Sequence, residues 1–430
     1  MTKIKKEGLK TTKKVFALII NISLCLMMVT SACTSKKVGQ ENGESNTEKQ
    51  VLEENNTEEQ APSSESTEEH GLRAVNTDGF GTPGNNGIDR IIDTGDYMYL
   101  GADNRSGTLV YRSKDKGETW EVISGNGING DAKNIYTTTI VWFNNSLYVG
   151  TWQLESGAQL FRANADTENV NDIKWETITE DGFGNLKNNG FTNGIVFDDY
   201  IYVACFNLTE GSEMWRSKSG DPGTWEMCIP KGYNRDDNSD STVFYIYDGY
   251  LYVGTESVRG SMLSWNGTAL YRTNGGDGEI SWEKVGPDGY GDKNNNNTGA
   301  ITVFNGYMYV GTWNYFGMQI WRSDMKGEIP WKWERVVAGG FGSNKNMAVQ
   351  GLTVVGDNIY CGCVGELSLK PGSQTGKLLT SSDGTIWTEI TEEGFIKGEI
   401  IGVLWMISSN EKLYIGLIGS NAPSQLWIYE

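Results

Sequence analysis

Four carboxylates and two arginines are the residues of this sequence whose types and placement could support acid–base chemistry. All six stand in or beside loops of a repeated strand pattern, and the set is Asp103, Glu155, Glu256 and Glu366, with Arg90 and Arg105. A glycosidase needs two such carboxyl groups, about 5 Å apart for retention or about 6.5–9.5 Å apart for inversion. The chain has one histidine, His70, which precedes the repeats. Histidine-dependent chemistry, such as Ser–His hydrolysis, is therefore excluded from the repeated part of the chain.

Aromatic and amide side chains stand in the same loops. They are Asn104, Trp152, Phe206, Asn207, Trp313, Asn314 and Tyr315. Flat rings stack on the C–H face of a sugar and amides bond its hydroxyl groups, so this set predicts a carbohydrate-binding surface. Trp152, Phe206 and Trp313 also occupy one equivalent position of the repeat, which leaves open that they only pack between neighbouring sheets. The loops that enter the first strands carry amides and carboxylates that could hold a polar ligand or Ca²⁺, namely Asn85, Asn86, Asn188, Asn189, Asp236, Asp237, Asp240 and Asn294 to Asn297. These residues lack EF-hand spacing and suit turns, so no metal or other cofactor is predicted.

The first 70 residues are predicted to lie outside the folded domain. A basic stretch is followed by the apolar run 15–29 and then by Thr30-Ser31-Ala32-Cys33, as in a secretory signal. The last four residues resemble the lipobox of bacterial lipoproteins, in which the cysteine is lipidated, so residues 1–32 are predicted to be the signal peptide. Residues 33–70 carry almost no large apolar side chain and are predicted to be a disordered acidic tether. The protein would then be anchored by a lipid on Cys33 and face the extracytoplasmic side of the membrane.

A repeat of about 50 residues organises residues 71–430. The pattern Tyr-x-Gly recurs at Tyr99, Tyr148, Tyr202, Tyr252, Tyr309, Tyr360 and Tyr414, with Ala204 once replacing the glycine. Each copy fits four short strands separated by turns, which is the pattern of a β-propeller blade. We therefore predict an all-β fold, a seven-bladed β-propeller.

The seventh copy lacks its outer strand, and the start of the domain can supply it. In other copies a tryptophan opens this strand eight residues before an aromatic, as Trp175 does before Phe183. Leu72 stands eight residues before Phe80 in the same way. Residues 71–76 would then complete the seventh blade and leave no open sheet edge. The alternative, an open array of repeats, would leave its last blade one strand short.

Two turns carry a recognisable motif. Residues 113–120, SKDKGETW, match the Asp-box pattern SxDxGxTW, and residues 381–387, SSDGTIW, are one residue shorter. Residues 71–430 therefore resemble the sialidase-like Asp-box (BNR-repeat) propellers, in which the box is a hairpin turn away from the active site. The resemblance implies that Arg90 would hold a sialic acid carboxylate and Asp103 would act as acid and base. The further arginines and the Tyr–Glu pair of that family have no clear counterpart here.

The overall charge and the cysteines narrow the choice of partners. The net charge of −19 argues against nucleic acid, because phosphate binding needs a basic surface. Cys205, Cys228, Cys361 and Cys363 lack zinc-ligand spacing and are interpreted as buried thiols, with any disulfide pairing left open. These features predict a cell-surface lipoprotein whose propeller is a non-catalytic binding module for a glycan or other surface polymer. A sialidase-like exo-glycosidase and an envelope scaffold for protein partners are the alternatives.

Overall fold

The computed structural model describes residues 71–76, 78–259, 262–263, 266–365, 376–391, 395, 400–419 and 422–430. The predicted lipidation site Cys33, the histidine His70 and the candidate carboxylate Glu366 lie outside these residues. The chain divides into two compact units, residues 1–73 and 74–430. The second contains nearly all the described residues, in which no helix is long and apolar enough to cross a membrane.

The described residues are all-β, and their strands pair antiparallel in successive groups. After β1 (Leu72–Ala74), group 1 contains β2 (Asn85–Asp93), β3 (Met98–Asn104), β4 (Leu109–Ser113) and β5 (Glu121–Val122). Group 2 contains β6 (Thr137–Phe143), β7 (Ser146–Thr151), β8 (Leu160–Ala163) and β9 (Glu176–Thr177), and group 3 contains β10 (Gly190–Phe197), β11 (Tyr200–Phe206), β12 (Glu213–Ser217) and β13 (Glu226–Met227). Group 4 contains β14 (Asn238–Tyr247), β15 (Tyr250–Arg259), β16 (Met262–Leu263), β17 (Leu270–Thr273) and β18 (Glu283–Lys284). Group 5 contains β19 (Asn297–Phe304), β20 (Tyr307–Trp313), β21 (Ile320–Ser323) and β22 (Glu334–Val337); group 6 contains β23 (Asn346–Val355), β24 (Asn358–Gly365), β25 (Lys377–Ser381) and β26 (Thr388–Glu389); group 7 contains β27 (Ile400–Ser409), β28 (Lys412–Gly419) and β29 (Leu426–Tyr429). The first strand of each group contacts the first strand of the next, and β27 contacts β2.

The glycine of the Tyr-x-Gly pattern stands where two groups approach most closely. A Cβ atom on Gly101 would lie 2.4 Å from Thr137 Cγ2 in the next group. Glycines at four further copies face the following group in the same way, and a Cβ on Gly416 would lie 2.9 Å from Ile88 Cγ2 in group 1. The tyrosine of each copy is buried between the sheets. The repeat is therefore a packing signal, because it combines a large buried ring with a site that admits no side chain.

Helical structure in the described part of the chain consists of single turns. Their bounds are Asp78–Gly81, Gly127–Gly130, Val170–Asp172, Asp181–Gly184, Lys231–Asn234, Asp288–Gly291 and Gly339–Gly342. Five of them place a glycine and the following aromatic at positive φ, as in Gly182 (φ 61°) and Phe183 (φ 56°). The amide Nδ2 of Asn188 closes this turn by donating to the Gly182 carbonyl at 2.9 Å, and four of the other turns have an asparagine six residues after the glycine in the same role. The asparagines of these loops therefore serve the turn.

The beginning and the end of residues 74–430 are joined by hydrogen bonds. Val75 N donates to the Leu426 carbonyl at 2.9 Å, and Gly79 N donates to the Ser424 carbonyl at 2.9 Å. The side chain of Asn76 accepts a 2.7 Å bond from Leu426 N. Ile88, Leu100, Tyr414 and Ile428 share one buried cluster, so group 1 and group 7 pack together as well.

Candidate functional site

One arginine crosses the space between the first strands of several groups. Arg90 lies on β2, and its Nη2 donates to the Thr192 carbonyl of group 3 at 2.6 Å, beyond the neighbouring group 2. Its Nη1 donates to the Asp89 carbonyl at 2.8 Å, and its guanidinium lies 3.9 Å from the ring centroid of Trp405 in group 7. Burial lowers the pKa of Arg90 to about 10, although Asp89, Asp240 and Asp103 oppose the shift. The side chain therefore remains a cation at neutral pH and contacts three groups at once.

Two carboxyl groups of group 1 form an acid pair beside this arginine. The side chains of Asp89 and Asp103 are hydrogen-bonded to each other, and only 3% and 1% of each residue is exposed. A bond between two carboxyls requires one proton, so the pair carries a single negative charge. Burial raises the pKa of Asp103 well above its usual range, and the neighbouring Asp89 charge adds to the rise. Burial also raises the pKa of Asp89, although the bond to Asp103 and the charge of Arg90 oppose the rise.

A third carboxylate approaches from group 4. Asp240 is 6% exposed, and burial raises its pKa to about 7, although hydrogen bonds from Thr192 Oγ1 and Ser241 N and the charge of Arg90 oppose the rise. We call Asp89, Arg90, Asp103, Asp240 and Trp405 the Arg90 cluster. The four ionisable residues of the Arg90 cluster lie on strands whose other residues are mainly apolar or carry hydroxyl groups. Few neighbouring side chains therefore form hydrogen bonds or ion pairs with them.

Three polar atoms of the Arg90 cluster are buried without a hydrogen-bond partner. They are Asp89 Oδ2, Asp103 Oδ1 and Arg90 Nε. Buried polar atoms are almost always partnered by protein, water or ligand. Two oxygen atoms and one nitrogen donor of the Arg90 cluster therefore have unused hydrogen-bonding capacity, which water or a hydroxyl group can satisfy. No group of three or more His, Cys, Asp or Glu side chains within the described ranges is arranged to hold a metal ion.

The sequence-predicted carboxylates and arginines separate into two sets. Asp103 and Arg90 lie together in the Arg90 cluster. Arg105 lies next to the cluster, where its charge acts on Asp103 and its side chain forms a hydrogen bond with the buried Tyr136. Glu256 is buried opposite Asp240 in the β14–β15 register. Glu155 is exposed on the loop after β7.

The predicted aromatic residues are placed between groups. Trp152, Phe206 and Trp313 are 7%, 2% and 8% exposed, and the rings of Trp152 and Phe206 lie 4.8 Å apart. Tyr315 is half-buried, 6.3 Å from Trp313, and the neighbouring Phe316 is 64% exposed. The loop after β20 therefore offers the accessible rings of this set.

The predicted amides Asn104, Asn207 and Asn314 make one repeated bond. Each donates its Nδ2 to the turn-closing asparagine 19 residues earlier, at 2.8–2.9 Å. Each Oδ1 also accepts a backbone N–H of its own loop. These bonds fix the loops that follow the second strands of groups 1, 3 and 5, while a direct role in ligand binding stays a prediction.

The sequence did not predict Asp89, Thr192 or Trp405 as site residues, and it placed Asp240 only in a loop. A signal does exist for Asp89, because an Asp–Arg pair interrupts the apolar strand GIDRII. Charged residues are rare in a strand that is buried on both faces, unless they pair with an opposite charge or take part in function. Thr192 and Trp405 have no such signal, since their roles depend on contacts between distant groups.

Comparison with known proteins identifies the architecture. No family model and no curated protein sequence matches the chain. Among solved structures, a catalytically inactive variant of virginiamycin B lyase from Staphylococcus aureus with quinupristin superposes with a TM-score of 0.52 at 13% identity, covering 83% of this chain and 98% of that one. A GH74 xyloglucanase from Xanthomonas campestris gives 0.51 at 12% identity over 81% of this chain, and puromycin hydrolase gives 0.50 at 10% over 77%. The matched region spans about half the length of these last two, 52% and 50%. At such identities the likeness concerns the fold alone, and together with the strand pairing it shows that the chain is a β-propeller.

Proposed function

We propose that this protein is a cell-surface binding module that holds a polyhydroxylated ligand, a glycan or another surface polymer, at the Arg90 cluster. The observation that carries the proposal is the convergence of three unpartnered buried atoms, Asp89 Oδ2, Asp103 Oδ1 and Arg90 Nε. Sugar hydroxyls both donate and accept, so one ligand can satisfy the two oxygens and the nitrogen together. Trp405, whose ring lies against the guanidinium, holds Arg90 in place for this ligand.

A closed ring of blades would place the first strands of the groups, and with them the Arg90 cluster, around its axis. We propose that the seven strand groups are seven blades and that the segment 71–76 completes the last one. The bonds from Val75 and Asn76 to Leu426 support this closure. Deleting residues 71–76 from the full chain should lower the unfolding midpoint far more than deleting residues 34–65, and equal effects would contradict the proposed closure.

We also propose that the module is anchored by a lipid on Cys33 after removal of residues 1–32, with residues 33–70 as its tether. Support comes from the basic, apolar and Ser31-Ala32-Cys33 segments of the sequence. Cells producing Cys33→Ser should release the protein from the membrane fraction and fail to incorporate labelled palmitate. Retention of both properties by the variant would refute the anchor.

An acid–base enzyme acting on the same class of ligand is the second candidate. Asp240 favours it, because a carboxyl group with a pKa raised to about 7 can accept or donate a proton near neutral pH. The Asp89–Asp103 pair argues against glycoside hydrolysis by these two groups, since hydrogen-bonded carboxyls are nearer than the about 5 Å of a retaining pair. The lyase of similar fold is inactive in a histidine-to-alanine variant. This chain has one histidine, His70, which lies outside the described residues.

The two candidates separate in one experiment on the full chain. The purified protein is screened on a glycan array and, in parallel, with fluorogenic glycosides. We expect binding without turnover, and loss of that binding in Arg90→Met and Asp240→Asn. Arg322→Met is the matched control, because Arg322 pairs with Glu334 on the outer strands. Turnover that Asp240→Asn abolishes would establish the enzyme, and neither binding nor turnover would refute both sugar-directed functions in favour of a protein scaffold.

A further inference from the structure

A groove lies between groups 2 and 3, on strands other than those of the Arg90 cluster. Its volume is about 540 Å³, within the range of small-molecule sites. The groove is lined by residues 177–180, which begin at the end of β9, by Pro222 and Gly223, and by three aromatic rings, which we call its floor. The groove is therefore large enough for one or two sugar rings and is separate from the site proposed above.

The floor of the groove is a rigid aromatic platform. Phe183 stacks on Trp215 with ring centroids 4.6 Å apart and planes inclined by 10°, and Trp225 lies 5.5 Å from Phe183. Phe183 belongs to the turn that Asn188 closes, so its ring is held by the backbone. All three rings are only half-buried, which leaves part of each surface open to a ligand.

Equivalent tryptophans show what is different at this boundary. Trp175 donates its Nε1 to the Ile123 carbonyl of group 1 at 2.9 Å, and Trp282 donates to the Cys228 carbonyl of group 3 at 3.1 Å. These bonds close the boundaries between groups 1 and 2 and between groups 3 and 4. Trp225 occupies the same place in the repeat, but its Nε1 is buried and unpartnered, as are those of Trp333 and Trp387.

At another boundary, an unpartnered tryptophan nitrogen lies beside a space that a second tryptophan fills. Trp333 Nε1 is also unpartnered, but there the backbone N of Trp331 bonds the Val285 carbonyl at 2.9 Å, and the Trp331 ring is 5% exposed. An additional tryptophan therefore occupies the boundary between groups 4 and 5. Between groups 2 and 3 the corresponding space is the groove.

The groove also contains a hydroxyl group that suits a polar ligand. Thr179 Oγ1 is buried without a partner, like Trp225 Nε1, so the walls present one donor and one hydroxyl that can donate or accept. Glu180 is exposed at the edge and is the single carboxylate among the lining residues. A flat apolar ligand would leave both buried polar atoms unsatisfied, at a cost that a sugar avoids.

We propose that this groove is a second carbohydrate site, in which a pyranose ring of a glycan stacks on Phe183, Trp215 and Trp225. Its hydroxyls bond Trp225 Nε1 and Thr179 Oγ1. The site binds without catalysis, because glycoside cleavage needs two carboxyl groups and the lining supplies one. The proposal shares its ligand class with the function proposed above, but it rests on different residues and stands or fails separately.

Fluorine NMR of the full chain labelled with fluorotryptophan tests this assignment. The chain has 15 tryptophans, and the resonances of Trp215 and Trp225 are assigned by their absence in Trp215→Phe and Trp225→Phe. The probes are chitohexaose, cellohexaose and mannohexaose, each titrated to about 10 mM to detect millimolar affinity. We expect at least one probe to shift both resonances in a saturable manner.

Thr179→Val is the decisive variant, because it removes one hydroxyl and conserves the shape of the groove. We expect it to weaken binding about 5- to 10-fold, as the loss of one hydrogen bond predicts. Thr177→Val, on the exposed part of the same segment, is the matched control and should change the affinity less than about 2-fold. Arg90→Met should leave the two shifts intact, even if it abolishes binding at the Arg90 cluster.

Three outcomes would overturn the proposal. They are no shift of either resonance with any probe, equal affinity of Thr179→Val and the unmodified protein, and disappearance of the shifts in a folded Arg90→Met protein. The last outcome would assign all sugar binding to the Arg90 cluster. If Arg90→Met leaves both shifts intact and also leaves total sugar binding unchanged, the result would contradict the function proposed for the Arg90 cluster. The same result would support sugar binding in the groove.

Discussion

Replacing Asp240 by asparagine should make the protein more stable at neutral and alkaline pH. In the folded protein this carboxyl is 6% exposed, and burial raises its pKa from 3.8 to about 7. Asparagine has nearly the same shape and keeps a carbonyl oxygen for the hydrogen bonds from Thr192 and Ser241. The substitution therefore removes the ionisation while conserving the packing.

The magnitude and its sign follow from the two pKa values. Between pH 3.8 and about 7 the unfolded chain is ionised at Asp240 while the folded protein keeps the proton, so the free energy of unfolding falls as pH rises. At about 1.4 kcal/mol per pH unit, this interval corresponds to about 4 kcal/mol. Below pH 3.8 the contribution is fully present, and above about pH 7 it is lost.

Urea unfolding of the full chain at pH 5, 6, 7 and 8 measures this effect. The difference in unfolding free energy between Asp240→Asn and the unmodified protein should grow in favour of the variant as pH rises, and level off above about pH 7. Asp236→Asn is the matched control, because it removes one exposed carboxylate from the same loop. Parallel pH profiles for Asp240→Asn and the unmodified protein would refute the reasoning, since Asp240 would then ionise as easily in the folded as in the unfolded state.

Three further predictions concern the fold and can be measured by denaturation or alkylation. Asn188→Ala should cost about 2–3 kcal/mol, because it removes one donor each from the Gly182 carbonyl and the buried Glu213 carboxylate and the acceptor of Asn207 Nδ2, whereas Asn189→Ala should cost less than about 1 kcal/mol; equal costs would refute the turn-closing role. Gly101→Ala should cost about 1–3 kcal/mol, because the new Cβ would lie 2.4 Å from Thr137, and an unchanged unfolding free energy would show that the groups are not packed so closely. The four thiols of the described residues are free and should react with iodoacetamide much more slowly in the native than in the denatured protein, since burial raises the pKa of three of them, and rapid native labelling would contradict their burial.

The local organisation of the chain could be predicted from its sequence because each copy of the repeat contains its own packing rules. Tyr99 and Gly101 are two residues apart, so one short pattern encodes both a buried ring and a close approach to the next group. The relation of Leu72 to Phe80 pointed in the same way to the segment that bonds Leu426. The sequence also connected Asp103 with Arg90 and Arg105, because all three lie within one copy of the repeat.

The remaining features of the site depend on contacts between copies. Thr192 meets Arg90 across 102 residues of sequence, and Trp405 belongs to the opposite end of the domain, so no local pattern joins them. From the sequence, Trp152 and Phe206 were equally suited to sugar binding and to packing between groups. Only their burial in the structure, with 7% and 2% of each residue exposed, distinguishes these two roles. The groove between groups 2 and 3 had no sequence signal, because Trp225 looks like every other tryptophan of its repeat position.

The bonds between Asn76 and Leu426 also determine when the domain can finish folding. The two residues are separated by 350 positions, so this contact has a far larger loop-closure cost than the hairpins within each group. Contacts of such long range form late and slow the folding of a domain. A chain still being synthesised can form its early hairpins, but it cannot form the bond between Asn76 and Leu426 until the last strand is present. The segment around Asn76 therefore lacks its partner strand, and leaves an unpaired edge that chaperones could recognise, until nearly the whole sequence has been synthesised.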